Sequence, residues 1–118
     1  MKKILICEDE EDILQILSHV LTTRDFEVHS AHNGQEAVKK TKSLKPDLVV
    51  LDIRMPKLDG IEVAKGIRKF DRNVKIIFMT AFQSQEIQNE ASKYNIIAYL
   101  NKSTPTDELI KTIEEALK

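Results

Sequence analysis

Four short stretches of the chain carry side chains with chemical reach. Glu8, Asp9 and Glu10 follow an apolar run, Ile4–Cys7, and Asp52 follows another, Leu48–Leu51. Thr80 and Ala81 close a third run, Ile76–Met79, and Asn101 and Lys102 close a fourth, Ile96–Leu100. Carboxylates, one hydroxyl and one ammonium are the parts of a phosphoryl-transfer centre. Acids can hold a hard divalent cation, a lysine adds a second positive charge, and a spare carboxylate can act as nucleophile. Each residue also has an ordinary reading. Acids before a helix cap free N–H groups and favour its dipole. Asp52 reads equally as a loop acid, Thr80 as a strand threonine and Lys102 as a solvated charge. What these readings do not explain is four such residues at one place, so the elements between them decide.

Short apolar runs alternate with stretches whose apolar residues recur three and four apart. In 11–23 these are Ile13, Leu14, Ile16, Leu17, Val20 and Leu21; in 106–117 they are Leu109, Ile110, Ile113, Ala116 and Leu117. The pattern predicts strands at 3–7, 26–30, 47–51, 75–80 and 97–101, and helices near 11–23, 34–44, 60–69, 84–94 and 105–117. Phe26–Ser30 alternates apolar with polar, as an edge strand does. Continuous apolar strands between amphipathic helices predict a doubly wound α/β domain, a five-stranded parallel sheet with helices on both faces. Ligands of such sheets bind outside the carboxyl ends of the strands. All four chemical stretches fall there. Pro105 is expected to open the fifth helix with Thr104 as its cap.

Like charge adds a second argument. Two carboxylates about 5 Å apart repel by roughly 3 kcal/mol at an effective dielectric near 20. Glu8, Asp9 and Asp52 invite a cation, and hard oxygen donors suit Mg²⁺. Other chemistries lose support. The 118 residues hold one cysteine, Cys7, so neither a disulfide within the chain nor a cysteine-rich zinc site is available. His19, His29 and His32 form no metal-ligand pair at helical spacing, and no glycine-rich nucleotide loop occurs. Lysine plus arginine is 18 against 19 acids, a net charge of −1, which gives no argument for nucleic acid or an anionic membrane as partner. No apolar run approaches the roughly 20 residues that span a bilayer, and the basic start lacks the apolar region of a signal peptide. A cytoplasmic protein of one domain, residues 1–118, is expected.

These stretches resemble the receiver domain of two-component response regulators, over essentially the whole chain. The strongest piece is Val50-Leu51-Asp52-Ile53-Arg54-Met55-Pro56-Lys57-Leu58-Asp59-Gly60, similar to the family's phosphoacceptor strand and loop. Met79-Thr80-Ala81 and Tyr99-Leu100-Asn101-Lys102 resemble the fourth- and fifth-strand motifs, and Glu8-Asp9-Glu10 the acidic cluster. The resemblance implies a flavodoxin-like strand order, 2-1-3-4-5. It implies that Asp52 accepts a phosphoryl group from a sensor histidine kinase or a histidine phosphotransfer protein. Mg²⁺ would be held by Asp9, Asp52 and the carbonyl of Arg54, with Glu8 acting directly or through water. Lys102 and Thr80 would bond phosphoryl oxygens, Tyr99 would move with Thr80, and the Arg54 and Phe82 side chains would tune the phosphoryl lifetime. The implied outlets are a downstream protein target or the next member of a relay. A stand-alone receiver is expected, since the fifth helix closes the chain.

Two departures from the family pattern stand out. Glu8 replaces the first of two aspartates, and its extra methylene favours water-mediated contact. Ser103 follows Lys102 where the family commonly has a cis proline, and a non-proline cis bond costs roughly 3–4 kcal/mol. Either that strain is tolerated or the loop is trans and Lys102 is aimed differently. Helix four, Ser84–Tyr94, is mostly polar with a thin stripe of Ile87, Ala91 and Tyr94, so it and Tyr99 are expected to form a moving output face. Asp12 and Gln15 on helix one border the acidic loop, where a phosphodonor is expected to dock. Two other readings compete. A Mg²⁺-dependent phosphohydrolase lacks its Asp-x-Asp-x-Thr pattern after strand one and a substrate cap. A phosphorylation-independent interaction module leaves Asp9, Asp52, Thr80 and Lys102 unexplained.

Overall fold

Apolar side chains on successive strand residues must be covered from both sides, and that requirement builds the molecule. The structure, a computed structural model, describes residues 1–8, 10–53, 59–80, 85–101 and 103–118, with Ile53, Asp59, Thr80 and Ile87 described by backbone alone. The strands are β1 Lys3–Cys7, β2 Glu27–Ala31, β3 Leu48–Ile53, β4 Lys75–Thr80 and β5 Ile96–Asn101. The helices are α1 Glu11–Thr23, α2 Gly34–Leu44, α3 Asp59–Arg68, α4 Gln85–Ala91 and α5 Thr106–Ala116, with a 3-10 turn at Ser92–Tyr94. All pairings are parallel and the order is β2-β1-β3-β4-β5.

Alternation along each strand divides the core in two. Leu5, Cys7, Val49, Leu51, Ile76 and Phe78 face one side, against Ala37 of α2, Ile61, Ala64 and Ile67 of α3, and Ala91 of α4. Ile4, Ile6, Leu48, Val50, Ile77 and Met79 face the other, against Leu14, Leu17 and Leu21 of α1 and Leu109, Ile110 and Ile113 of α5. Burying each large aliphatic side chain contributes about 1.5–3 kcal/mol. β2, the expected edge, is half-buried along most of its length.

Several boundaries differ from expectation for identifiable reasons. β3 runs on to Ile53 because Asp52 and Ile53 pair with Met79 and Thr80 of β4. Asp52 is therefore a strand residue rather than a loop acid. β2 begins at Glu27, since the Phe26 N–H is spent on the carbonyl of Leu21 at 3.2 Å. Helix four ends at Ala91 and tightens into the 3-10 turn, closed by Asn95 in the left-handed region at φ 57. At α5 the expected Thr104 cap is absent. Pro105 occupies the cap position with an extended ψ of 144 and no side-chain cap bond, and the Thr104 N–H turns back to the Asn101 carbonyl at 2.9 Å. Ser84, the expected start of helix four, lies outside the described residues.

Candidate phosphoacceptor site

Strand register does the gathering. Cys7 pairs with Leu51, so Glu8 and Asp52 are each the next residue at the carboxyl ends of neighbouring strands. Paired backbones lie about 4.8 Å apart. Asp52 lies opposite Met79, Ile53 opposite Thr80, and Thr80 opposite Asn101. Four strands thus deliver Glu8, Asp52, Thr80 and Asn101 to one edge of the sheet. Asp9, Arg54, Phe82 and Lys102 lie outside the described residues, as does the Lys102–Ser103 bond.

Glu8 is 3% exposed. Its N–H donates to the Ala31 carbonyl at 2.9 Å, which carries the β1–β2 ladder one step beyond Cys7. Its Oε2 accepts the N–H of Glu10 at 3.0 Å. Glu10 occupies the cap position of α1 without any side-chain cap bond. The ordinary explanation for this acidic run, helix capping, therefore does not describe Glu10. Asp52 is half-buried and its Oδ1 is shut off from solvent. Carboxylates held out of water need compensating charge or donors. Two hard oxygen donors on adjacent strand ends fit a divalent cation of the Mg²⁺ type. Among the described residues no group of three or more metal-ligating side chains assembles, the expected third acid, Asp9, being outside them.

Polar bonds flank the edge on the β2 side and on the β5 side. His32 Nε2 lies 3.3 Å from Glu11 Oε2, and its Nδ1 lies 3.8 Å from Glu36 Oε1. Lys40 Nζ lies 3.0 Å from Glu36 Oε1 and donates to the Ser30 carbonyl at 2.5 Å. The hydrogen bond from Lys40 holds the Glu36 carboxyl below its ordinary value of 4.5. On the far side, Asn101 Oδ1 accepts both the N–H and the hydroxyl of Ser103 at 3.0 Å. This turn ties together the residues flanking position 102, where the family pattern commonly has proline. An Asn-x-Ser spacing is its sequence signal, since asparagine bonds readily to the backbone two residues on.

Tyr99 lies in β5 with its ring edge-on to Phe78, centroids 5.9 Å apart at 89°. Burial pushes its hydroxyl pKa up. Along the adjoining helix, Ala91 is fully buried and Tyr94 packs against the same core cluster, two of the three expected stripe residues.

A doubly wound parallel sheet with acids at its carboxyl edge defines an α/β domain with a candidate cation site at that edge. Comparison with known proteins makes the class specific. Residues 4–114 match the response regulator receiver domain, and the chain belongs to that family. It is 36% identical to the chemotaxis protein CheY of Thermotoga maritima, covering 99% of this chain and 98% of that one. It is 30% identical to sporulation initiation phosphotransferase F of Bacillus subtilis, covering 98% and 94%. Regulatory protein AtoC of Escherichia coli is 35% identical over the whole of this chain, which spans only 26% of AtoC. Against the PhoP regulator of Bacillus subtilis, the matched region is 33% of its length. Among solved structures, the response regulator TrrA of Thermotoga maritima in complex with Mg²⁺-BeF is 40% identical, with a TM-score of 0.84 and coverage of 98% and 99%. A CheY-like receiver from Methanospirillum hungatei superimposes with a TM-score of 0.92 at 27% identity, covering 99% and 94%. Receivers of this family accept phosphoryl groups on aspartate in two-component signalling and bind Mg²⁺. Among the described residues no helix is long and apolar enough to cross a membrane.

Proposed function

We propose that Asp52 is the phosphoacceptor of this chain and that a phosphohistidine on a sensor histidine kinase or phosphotransfer protein is the donor. A carboxylate oxygen of Asp52 attacks phosphorus, the P–N bond breaks, and the imidazole leaves with the electron pair. Later attack by water returns the free carboxylate and inorganic phosphate. The chain assists both steps without turning over an external substrate. Glu8, Asp9, Asp52 and the carbonyl of Arg54 would hold Mg²⁺. When bound, the ion supplies positive charge to the phosphoryl oxygens. Lys102 and Thr80 bond phosphoryl oxygens, and the Arg54 and Phe82 side chains set how readily water reaches the acyl phosphate.

The single observation that supports this most is the buried Glu8, which directly follows Cys7, the strand partner of Leu51 that directly precedes Asp52. α1 offers the donor a surface. Asp12, Gln15, Ile16, His19 and Val20 line an open hollow of about 510 Å³, with Ile16 57% exposed. Tyr99 and α4 carry the outcome to a protein target or to the next relay member. A cytoplasmic setting without direct contact to nucleic acid suits the even charge balance.

The test is incubation with Mg²⁺ and a small acyl phosphate, followed by intact mass and mapping of the modified residue. One phosphoryl group on Asp52 is expected, with complete loss in Asp52→Asn. Labelling that persists in Asp52→Asn sinks the assignment.

A further inference from the structure

The amino-terminal end of β5 combines two features. The first is a guanidinium clamp. Arg68, the last residue of α3, donates from Nε to the Tyr94 carbonyl at 2.8 Å and from Nη2 to the Asn95 carbonyl at 3.2 Å. Its Nη1 donates to the carbonyls of Val74 at 2.7 Å and Asp71 at 3.2 Å. One planar fork therefore joins the end of α3, the approach to β4 and the corner where the chain enters β5. Charge-assisted bonds of this kind are the strong ones.

The second feature is an extra residue. Ile96 pairs with Ile76, yet the next step pairs Ala98 with Ile77. Ile97 is thus bulged out, and it is 42% exposed. A bulge inverts the alternation beyond it. Ile96 and Tyr99, three apart, both pack on the α2–α4 side, while Ala98 and Leu100 pack on the α1–α5 side. In an unbroken strand Ile96 and Tyr99 would point to opposite faces. An extra residue in an edge strand is also slack, because moving the bulge along β5 would turn Tyr99 to the other face.

We propose that Arg68 is a positioning residue that removes this slack. By fixing the carbonyls of Tyr94 and Asn95 it locks the Ile76–Ile96 pairing and thereby the face on which Tyr99 stands. The role as a switch residue rests on the functional reading above; the register of β5 does not.

The experiment uses the unphosphorylated full chain, so it decides the clamp whatever Asp52 does. In the native protein, one set of amide signals for residues 96–100 and magnetisation transfer between the Phe78 and Tyr99 rings are expected. Arg68→Gln should split the 96–100 signals into two sets, weaken the ring contact, and raise amide exchange there by at least about tenfold relative to β1 and β3. Deleting Ile97 in the Arg68→Gln background removes the slack and should restore one set of signals and the ring contact. A purely structural arginine predicts a lower Tm with single signals and an intact ring contact, and that result overturns the proposal. So does failure of the Ile97 deletion to rescue. Should Arg68→Gln not fold, Arg68→Lys, which keeps the charge but not the fork, is read in the same way. A separate arm adds Mg²⁺ and the acyl phosphate. Uptake within about twofold of native is expected in Arg68→Gln, since the fork sits at the opposite edge from Asp52. Loss of uptake in the native chain as well would defeat the functional reading and leave the register result standing.

Discussion

β1 and β5 are both parallel strands of one sheet, but they are held very differently. After Lys3, every residue of β1 is buried, with β2 on one side and β3 on the other. β5 has a partner on one side only, carries a bulge, and none of its residues is fully buried. Glu8 thus follows, and Asp52 stands in, a strand flanked on both sides with no room to shift, while Tyr99 stands in one that has. A centre that must hold charges in fixed geometry belongs on the first kind of element. A segment that must report a change belongs on the second, where local opening is inexpensive.

The sharpest way to break this comparison is truncation. Phe78→Ala at the sheet centre should cost about 3–5 kcal/mol, whereas Ile97→Ala on the bulge should fall within about 0.5 kcal/mol of native. Urea midpoints at constant slope measure both, and equal losses would erase the distinction. A smaller effect is expected at Gly34, where an added Cβ would lie 2.6 Å from Val63 Cγ2. Valine has little rotamer freedom to yield. Gly34→Ala should therefore cost roughly 1 kcal/mol or more by forcing α2 away from α3, read as a lowered Tm. Next comes the metal. Mg²⁺ at ten times its Kd should stabilise the fold by about 1.4 kcal/mol, a Tm rise of roughly 5 °C. Glu8→Gln should reduce that rise, and an unchanged rise would take Glu8 out of the metal set.

The smallest effect is on pH dependence. Glu36 is held low by its bond from Lys40, so its contribution is present above the unfolded value of 4.5 and is lost as pH falls through the lower folded value. Glu27 behaves alike through its bond from His29. Both carboxyls are partly exposed, at 31% for Glu36 and 43% for Glu27, and solvent screens their bonds, so Glu36→Gln should flatten the acid limb of the stability profile only slightly. A large change would mean that the Glu36–Lys40 pair belongs to the rigid centre rather than to its surroundings.

Much of this was legible in the residues. Apolar runs of four or five residues, too short for helices and set between amphipathic stretches, read as strands covered on both faces, and the acids, threonine and asparagine at their ends then share an edge. The side of the sheet that Tyr99 takes was not legible. Ile96, Ile97, Ala98, Tyr99 and Leu100 are all apolar or aromatic, so no alternation marks the bulge. Nor was Arg68, because its partners are backbone carbonyls, which every residue possesses. The same holds for Thr104, whose expected capping role depended on a backbone angle at Pro105.

The amino-acid sequence by itself determined the sheet, its two apolar faces and the placement of Glu8, Asp52, Thr80 and Asn101 at strand ends, because burial period and strand polarity are local properties. The tertiary structure alone decided that Glu8 is buried next to the strand that carries Asp52, that β3 extends through Asp52 to Ile53, and that β5 changes face at Ile97. Those outcomes depend on which backbone groups find partners across the sheet, and pairing between distant segments is written in no single one of them.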